Sequence, residues 1–307
     1  MDRPVAVELT APPREQTRAR YPDREGYVER DGVRVFYEVY GTGEPTILLL
    51  PTWSLFPSRH WRMQIPYLAR HCRVVTFDGR GNGRSDRPQD AAAYDEREFA
   101  ADALAIMDAT ETERAAIVGF SLGGQRGLLL AAEHPERVEG AVFIGPSFVG
   151  GGEPLPERTV YDFDTEYDIY EGWAKHNRYH WLRDYRDWVE FFISKMFTEP
   201  HSTKAIEDAL GWGLETDAET MIATQDASGL TPEESRALCR RVRCPVLVIH
   251  GESDAIGSVT RGAAFAEQTG GRLVLLEGSG HAPHIRDPVK VNLLLREFLA
   301  ALPRRAP

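Results

Sequence analysis

Apolar residues along this chain come in short unbroken runs separated by polar stretches. Thr46–Leu50, Arg73–Asp78, Ala115–Gly119, Gly140–Gly145, residues 245–250 and Arg272–Glu277 are such runs, and they read as strands covered on both faces. Between them, residues about 60–70, 96–110, 258–269 and 288–301, together with the Ala/Leu-rich stretch after Ser121, carry helical periodicity. Strands that alternate with helices predict a mostly parallel sheet with helices on both sides. One segment differs: Gly26–Arg30 and Val33–Tyr40 flank Asp31-Gly32, the signature of a β-hairpin.

The alternation stops between about 148 and 235, where the chain turns polar and aromatic. That interruption predicts an inserted helical lid. The division is therefore an N-terminal arm over 1–25, a first core part over 26–147, the lid over 148–235 and a second core part over 236–307. Trp181, Tyr185, Trp188 and Phe192 recur at steps of four, three and four, one stripe on a single helix. The stripe packs the lid onto the sheet and makes Trp181 and Trp188 candidate pocket residues. The acidic run Asp162 to Glu171 reads as a solvated face that would disfavour anionic substrates.

With 307 residues the chain can bury a full core. A net charge of −11 argues against nucleic acid and anionic membrane surfaces, because polyanion binding rests on Lys and Arg. No 18-residue apolar run and no signal-peptide pattern is visible, and Cys72, Cys239 and Cys244 form no pairing pattern, so a cytoplasmic location with reduced thiols is expected. The glycine-rich stretch 79–88 lacks a Walker lysine, so a nucleotide site is not expected there. His176 and His180 have helical spacing but no evident third ligand, too little for a metal. No cofactor is expected, and the oligomeric state is left open.

The chemistry concentrates in Gly119-Phe120-Ser121-Leu122-Gly123, which sits between an apolar strand and a helix. A serine on such a turn is exposed at the tip, with unpaired N–H groups and the positive helix end behind it. A hydroxyl nucleophile needs a base, and the base needs an orienting carboxylate. His281 and Asp254 each follow a predicted strand and are candidates for these roles. Glu252 or Glu153 as the acid, and His284 as the base, are the alternatives. His250 reads as a structural strand end, and His60 has no assignable partner.

The motifs around Ser121, Asp78–Ser85, Gly251–Asp254 and Gly278–Pro283 resemble those of the α/β-hydrolase superfamily, capped branch, over roughly residues 26–301. The resemblance implies an eight-stranded sheet, with Ser121 as nucleophile, His281 as general base and then acid, and Asp254 as orienting carboxylate. It also implies an oxyanion hole from the backbone N–H groups of Leu122 and Trp53. Pro51-Thr52-Trp53-Ser54 replaces the usual His-Gly there, which makes Thr52 and Phe120 further pocket candidates. Serine rather than aspartate at 121 argues against epoxide opening and dehalogenation. The expected activity is hydrolysis of an ester or lactone of a moderately sized, largely hydrophobic small molecule. A C–C hydrolase, an acyltransferase or cyclase, and a non-catalytic small-molecule receptor are the alternatives.

Overall fold

The computed structural model describes residues 19–303. Most of the expected N-terminal arm lies outside that range. Strands β1 (Arg24–Arg30), β2 (Val33–Tyr40), β3 (Thr46–Leu49), β4 (Arg73–Phe77), β5 (Ala115–Phe120), β6 (Val138–Ile144), β7 (Val246–Gly251) and β8 (Arg272–Leu276) form one sheet in the order β1-β2-β4-β3-β5-β6-β7-β8. β1 and β2 are antiparallel to their neighbours, and every pair from β4 to β8 is parallel. The Asp31-Gly32 hairpin forms as expected: Asp31 (φ 51°) and Gly32 (φ 77°) both take the left-handed conformation that a tight two-residue hairpin turn requires.

The period of two in each strand sorts side chains onto two faces. Ala116, Val118 and Phe120 of β5 join one core with Ile47, Leu49, Val142 and Ile144, while Ala115 and Ile117 join the other with Leu48, Leu50 and Phe143. Unbroken apolar runs are thus the consequence of cover on both sides.

The helices, in order, are α1 (Ile65–Leu68), α2 (Glu96–Ala109), α3 (Gly123–Glu133), α4 (Arg178–Arg183), α5 (Tyr185–Met196), α6 (Thr203–Gly213), α7 (Ala218–Asp226), α8 (Pro232–Cys239), α9 (Val259–Thr269), α10 (Pro283–Arg286) and α11 (Pro288–Ala300). Two expectations need correction. The helix expected over 60–70 is a 3₁₀ turn at Ser58–Trp61 followed by the short α1, since Pro66 has no N–H to continue an earlier helix. The single helix expected to carry the aromatic stripe is two helices, broken at Asp184 (φ −151°, ψ 78°), whose carboxylate caps α5 by accepting from the Asp187 N–H. A capping aspartate competes with helix continuation through its own side chain.

Helices α4–α8 all fall between β6 and β7. α8 straddles the expected boundary at 235, and its Leu238 and Cys239 enter the core with Phe143 and Val248. Among the described residues no helix is long and apolar enough to cross a membrane.

Candidate active site

β5 ends at Phe120, and Ser121 follows with φ 52°, a conformation that costs a non-glycine residue roughly 1–2 kcal/mol. The surroundings hold it there. The Ser121 N–H donates to the Ile144 carbonyl (3.0 Å), and the Ser121 carbonyl accepts from Gly124 and Ser147 (2.9 Å each). A Cβ on Gly119 would meet the Gly123 carbonyl oxygen at 2.3 Å, and one on Gly123 the Pro51 carbonyl oxygen at 2.9 Å. Those two glycines let strand and helix approach closely enough to make the turn.

Asp254 leaves the end of β7 and His281 the end of β8. These strands are neighbours, so their C-terminal loops lie side by side. His281 Nε2 is 3.1 Å from Ser121 Oγ, and its Nδ1 is 2.8 Å from Asp254 Oδ2. The other carboxylate oxygen accepts the N–H groups of Ile256 (2.8 Å) and Gly257 (2.9 Å). The His281 N–H is fixed to the Met196 carbonyl at 3.0 Å, and the Phe120 ring lies 4.9 Å from the imidazole. Burial by itself pushes the Asp254 carboxyl up, but the charge of His281 and hydrogen bonds from His250 and His281 hold it well below the ordinary range.

The alternatives fall elsewhere. Glu252 and Glu153 are exposed. His284 is buried beneath Phe120 with His60, their ring nitrogens 3.1 Å apart.

His250 is the residue that the sequence reading missed. Its Nε2 lies 3.0 Å from Asp254 Oδ2 and 3.1 Å from the Gly257 carbonyl oxygen. Both are acceptors, so Nε2 carries the proton, next to the acid. The Nδ1 side is pressed against Gly262, where a Cβ would come within 2.3 Å. The available signal was the spacing of four residues between His250 and Asp254 across a strand end.

Trp53 and Leu122 carry backbone N–H groups with no acceptor among the described residues. The orientation of the first is set through the carbonyl of its own peptide unit. Arg126, on α3 and buried, donates to the carbonyls of Pro51 (3.1 Å) and Thr52 and is paired with Glu96 at 2.8 Å. Across a trans peptide, a Thr52 carbonyl turned toward Arg126 turns the Trp53 N–H away from it. Thr52 is buried and contributes this carbonyl.

The Trp53 indole donates to Thr224 Oγ1 on α7 at 2.8 Å, and its ring packs on Trp181, Trp188 and Phe192 with centroids 6.1, 5.7 and 5.5 Å away. Trp181 and Trp188 have no accessible surface and meet the site through Trp53. His176 and His180 do not form a pair: His180 faces Asp187 at 2.8 Å, and His176 lies among Trp53, Trp173 and Trp181.

Comparison with known proteins identifies the family. The pattern of the family described as alpha/beta hydrolase fold matches residues 45–288. Over 279 residues the chain is 29% identical to the serine hydrolase BPHL of Homo sapiens, spanning 88% of this chain and 84% of that protein. Among solved structures, the esterase RhEst1 from Rhodococcus sp. ECU1013 superposes with a TM-score of 0.76 at 25% identity, covering 91% of this chain and 99% of that one. Est816, described as an N-acyl homoserine lactone degrading enzyme, superposes with a TM-score of 0.72 at 26% identity, covering 89% and 100%.

Proposed function

Since the chain belongs to the α/β-hydrolase fold family, we propose that it is a serine hydrolase that cleaves a carboxylic ester or lactone through an acyl-enzyme. The observation that carries this reading is the unbroken hydrogen-bonded line from Ser121 Oγ through His281 to Asp254. His281 Nε2 takes the hydroxyl proton as Ser121 attacks the carbonyl carbon. Asp254 holds the Nδ1 proton, fixes the tautomer and stabilises the imidazolium.

The oxyanion forms opposite the free N–H groups of Leu122 and Trp53. Both are backbone donors held rigidly, one by the start of α3 and one through Arg126, so they need no reorganisation when charge develops. His281 then returns the proton to the leaving oxygen, and the same nitrogen activates water for deacylation. The helices between β6 and β7 close over the site as a lid, with Trp53 as one of the contacts between lid and sheet.

The test is the intact mass of the purified protein after a fluorophosphonate, alongside Ser121→Ala and p-nitrophenyl esters of increasing acyl length. One adduct that is lost in the variant, with turnover on some chain length, supports the reading. A folded protein that takes no adduct overturns it and leaves the non-catalytic receptor. Turnover that appears only with an added alcohol acceptor identifies an acyltransferase instead.

A further inference from the structure

Two arginines stand beside the Asp254 loop without a carboxylate of their own. Arg158 is half-buried. One of its Nη1 hydrogens goes to the Ile256 carbonyl, two residues after Asp254, and its guanidinium lies 4.6 Å from the Trp173 ring centroid. Arg261, in the first turn of α9, is half-buried as well. Burial, and then the like charge of Arg261, pull Arg158 down to about 10, while Arg261 is lowered by burial.

Contrast the fully buried Arg80 and Arg126, which have carboxylates at 2.7 and 2.8 Å. Among the described residues no carboxylate forms a salt bridge with Arg158 or Arg261. The acids whose charge reaches Arg158 are Asp254 and Glu157. Asp254 already accepts three hydrogen bonds and has His250 Nε2 at 3.0 Å, and Glu157 is exposed.

Half-buried charges of one sign, close enough for Arg261 to act on Arg158 and without a salt-bridge partner, are unfavourable until an anion arrives. The place is close to the chemistry. Trp173 neighbours His176 (6.4 Å), and His176 neighbours Trp53 (6.1 Å), whose N–H faces the reacting carbonyl in the reading above. His176 is kept neutral, pushed to about 3 by burial and then by Arg158, and its buried Nδ1 has no partner among the described residues.

We propose that Arg158 and Arg261 form an anion subsite, and that the substrate bears a carboxylate remote from its scissile carbonyl. This rests on Ser121 as the nucleophile. A singly charged carboxylate suits the site better than a phosphate dianion, because the flanking surface is the apolar Trp173 and Ile256 and desolvation cost rises steeply with charge. A guanidinium also offers the planar two-donor edge that a carboxylate matches. The acidic run Asp162–Glu171 does not oppose this, since its carboxylates are exposed to solvent.

The experiment uses matched esters. 4-Nitrophenyl hydrogen glutarate is set against 4-nitrophenyl valerate for a carboxylate on the acyl side, and carboxymethylphenyl butyrate against tolyl butyrate for one on the leaving side. The wild type is expected to favour the anionic member of one pair by about tenfold in kcat/KM. Arg158→Gln and Arg261→Gln are each expected to collapse that ratio, Arg158→Lys to restore part of it, and Arg186→Gln, an exposed arginine on α5, to leave it in place.

A second arm needs no turnover. Glutarate or adipate should raise the Tm of Ser121→Ala, and should do so less when Arg158→Gln is added. Equal rates on both members of each pair with no dicarboxylate shift overturn the subsite, as does a preference that survives both arginine variants. Failure of the nucleophile reading shows separately, as absence of the fluorophosphonate adduct, and leaves the Tm arm to decide.

Discussion

His250 Nε2, hydrogen-bonded to the Gly257 carbonyl at 3.1 Å, also lies 3.0 Å from Oδ2 of Asp254. That oxygen is also the one that meets His281, so both imidazoles lie against it. Removing the His250 imidazole takes away a group that holds the carboxylate in place for His281. His250→Phe should therefore lower kcat/KM by about tenfold from lost orientation. His250→Gln, which keeps a donor near Nε2, should recover most of the rate. An unchanged kcat/KM in a folded His250→Phe would reduce His250 to packing.

Ser121 keeps its left-handed backbone at a cost. Ser121→Ala retains that cost and Ser121→Gly relieves it, so the glycine variant should be the more stable of the two by about 1 kcal/mol in urea unfolding. Both should lose hydrolysis by about 10⁴-fold. A glycine variant no more stable than the alanine one would mean that the strain is not realised.

In the proposed mechanism the Trp53 ring packs and its backbone N–H serves the oxyanion, and one substitution separates the two. Trp53→Ala deletes a ring wedged against Trp181, Trp188 and Phe192, so it should cost about 3–5 kcal/mol. The backbone N–H remains, and acetyl ester turnover should therefore stay well above that of Ser121→Ala. Loss to the Ser121→Ala level in a folded Trp53→Ala would show that the indole itself is required.

His60 and His284 give a pH signature to the fold. Burial pushes His60 down to about 3, and burial, then the charges of His60 and His281, push His284 well below its ordinary value. In the unfolded chain both titrate near about 6.5. Below that pH the unfolded state takes protons that the folded state refuses, so this stability is fully present above about 6.5 and is lost as pH falls toward the folded values. Each histidine adds up to about 1.4 kcal/mol per pH unit to the slope. The double variant His60→Gln, His284→Gln should flatten the fall in unfolding free energy between pH 6.5 and 4 by up to about two protons. An unchanged slope would place the proton uptake elsewhere.

Much of the fold was readable because its causes are local. The alternation of β5 side chains between two cores follows from the pleat, the Asp31-Gly32 turn from backbone conformation, and the Ser121 turn from glycines whose missing Cβ atoms make room for Pro51 and Gly123. Ser121, Asp254 and His281 were legible as strand-end residues, because parallel strands deliver their loops to one edge.

What only the tertiary structure decided depends on contacts across distance. The parallel pairing of β7 with β8 puts Asp254 and His281 within hydrogen-bond reach. The packing of Gly262 against His250 turns Nε2 of the latter toward the acid. Arg126 reaches across from α3 to aim the Trp53 N–H. The break at Asp184 folds the aromatic stripe back so that Trp181 and Trp188 pack with centroids 4.0 Å apart and planes tilted by 35°. The sequence determines which positions are apolar, tight or reactive, because periodicity and side-chain volume act over a few residues. Which of them meet is set by register and packing between segments far apart in the chain, 171 residues for Trp53 and Thr224 and 224 for His60 and His284.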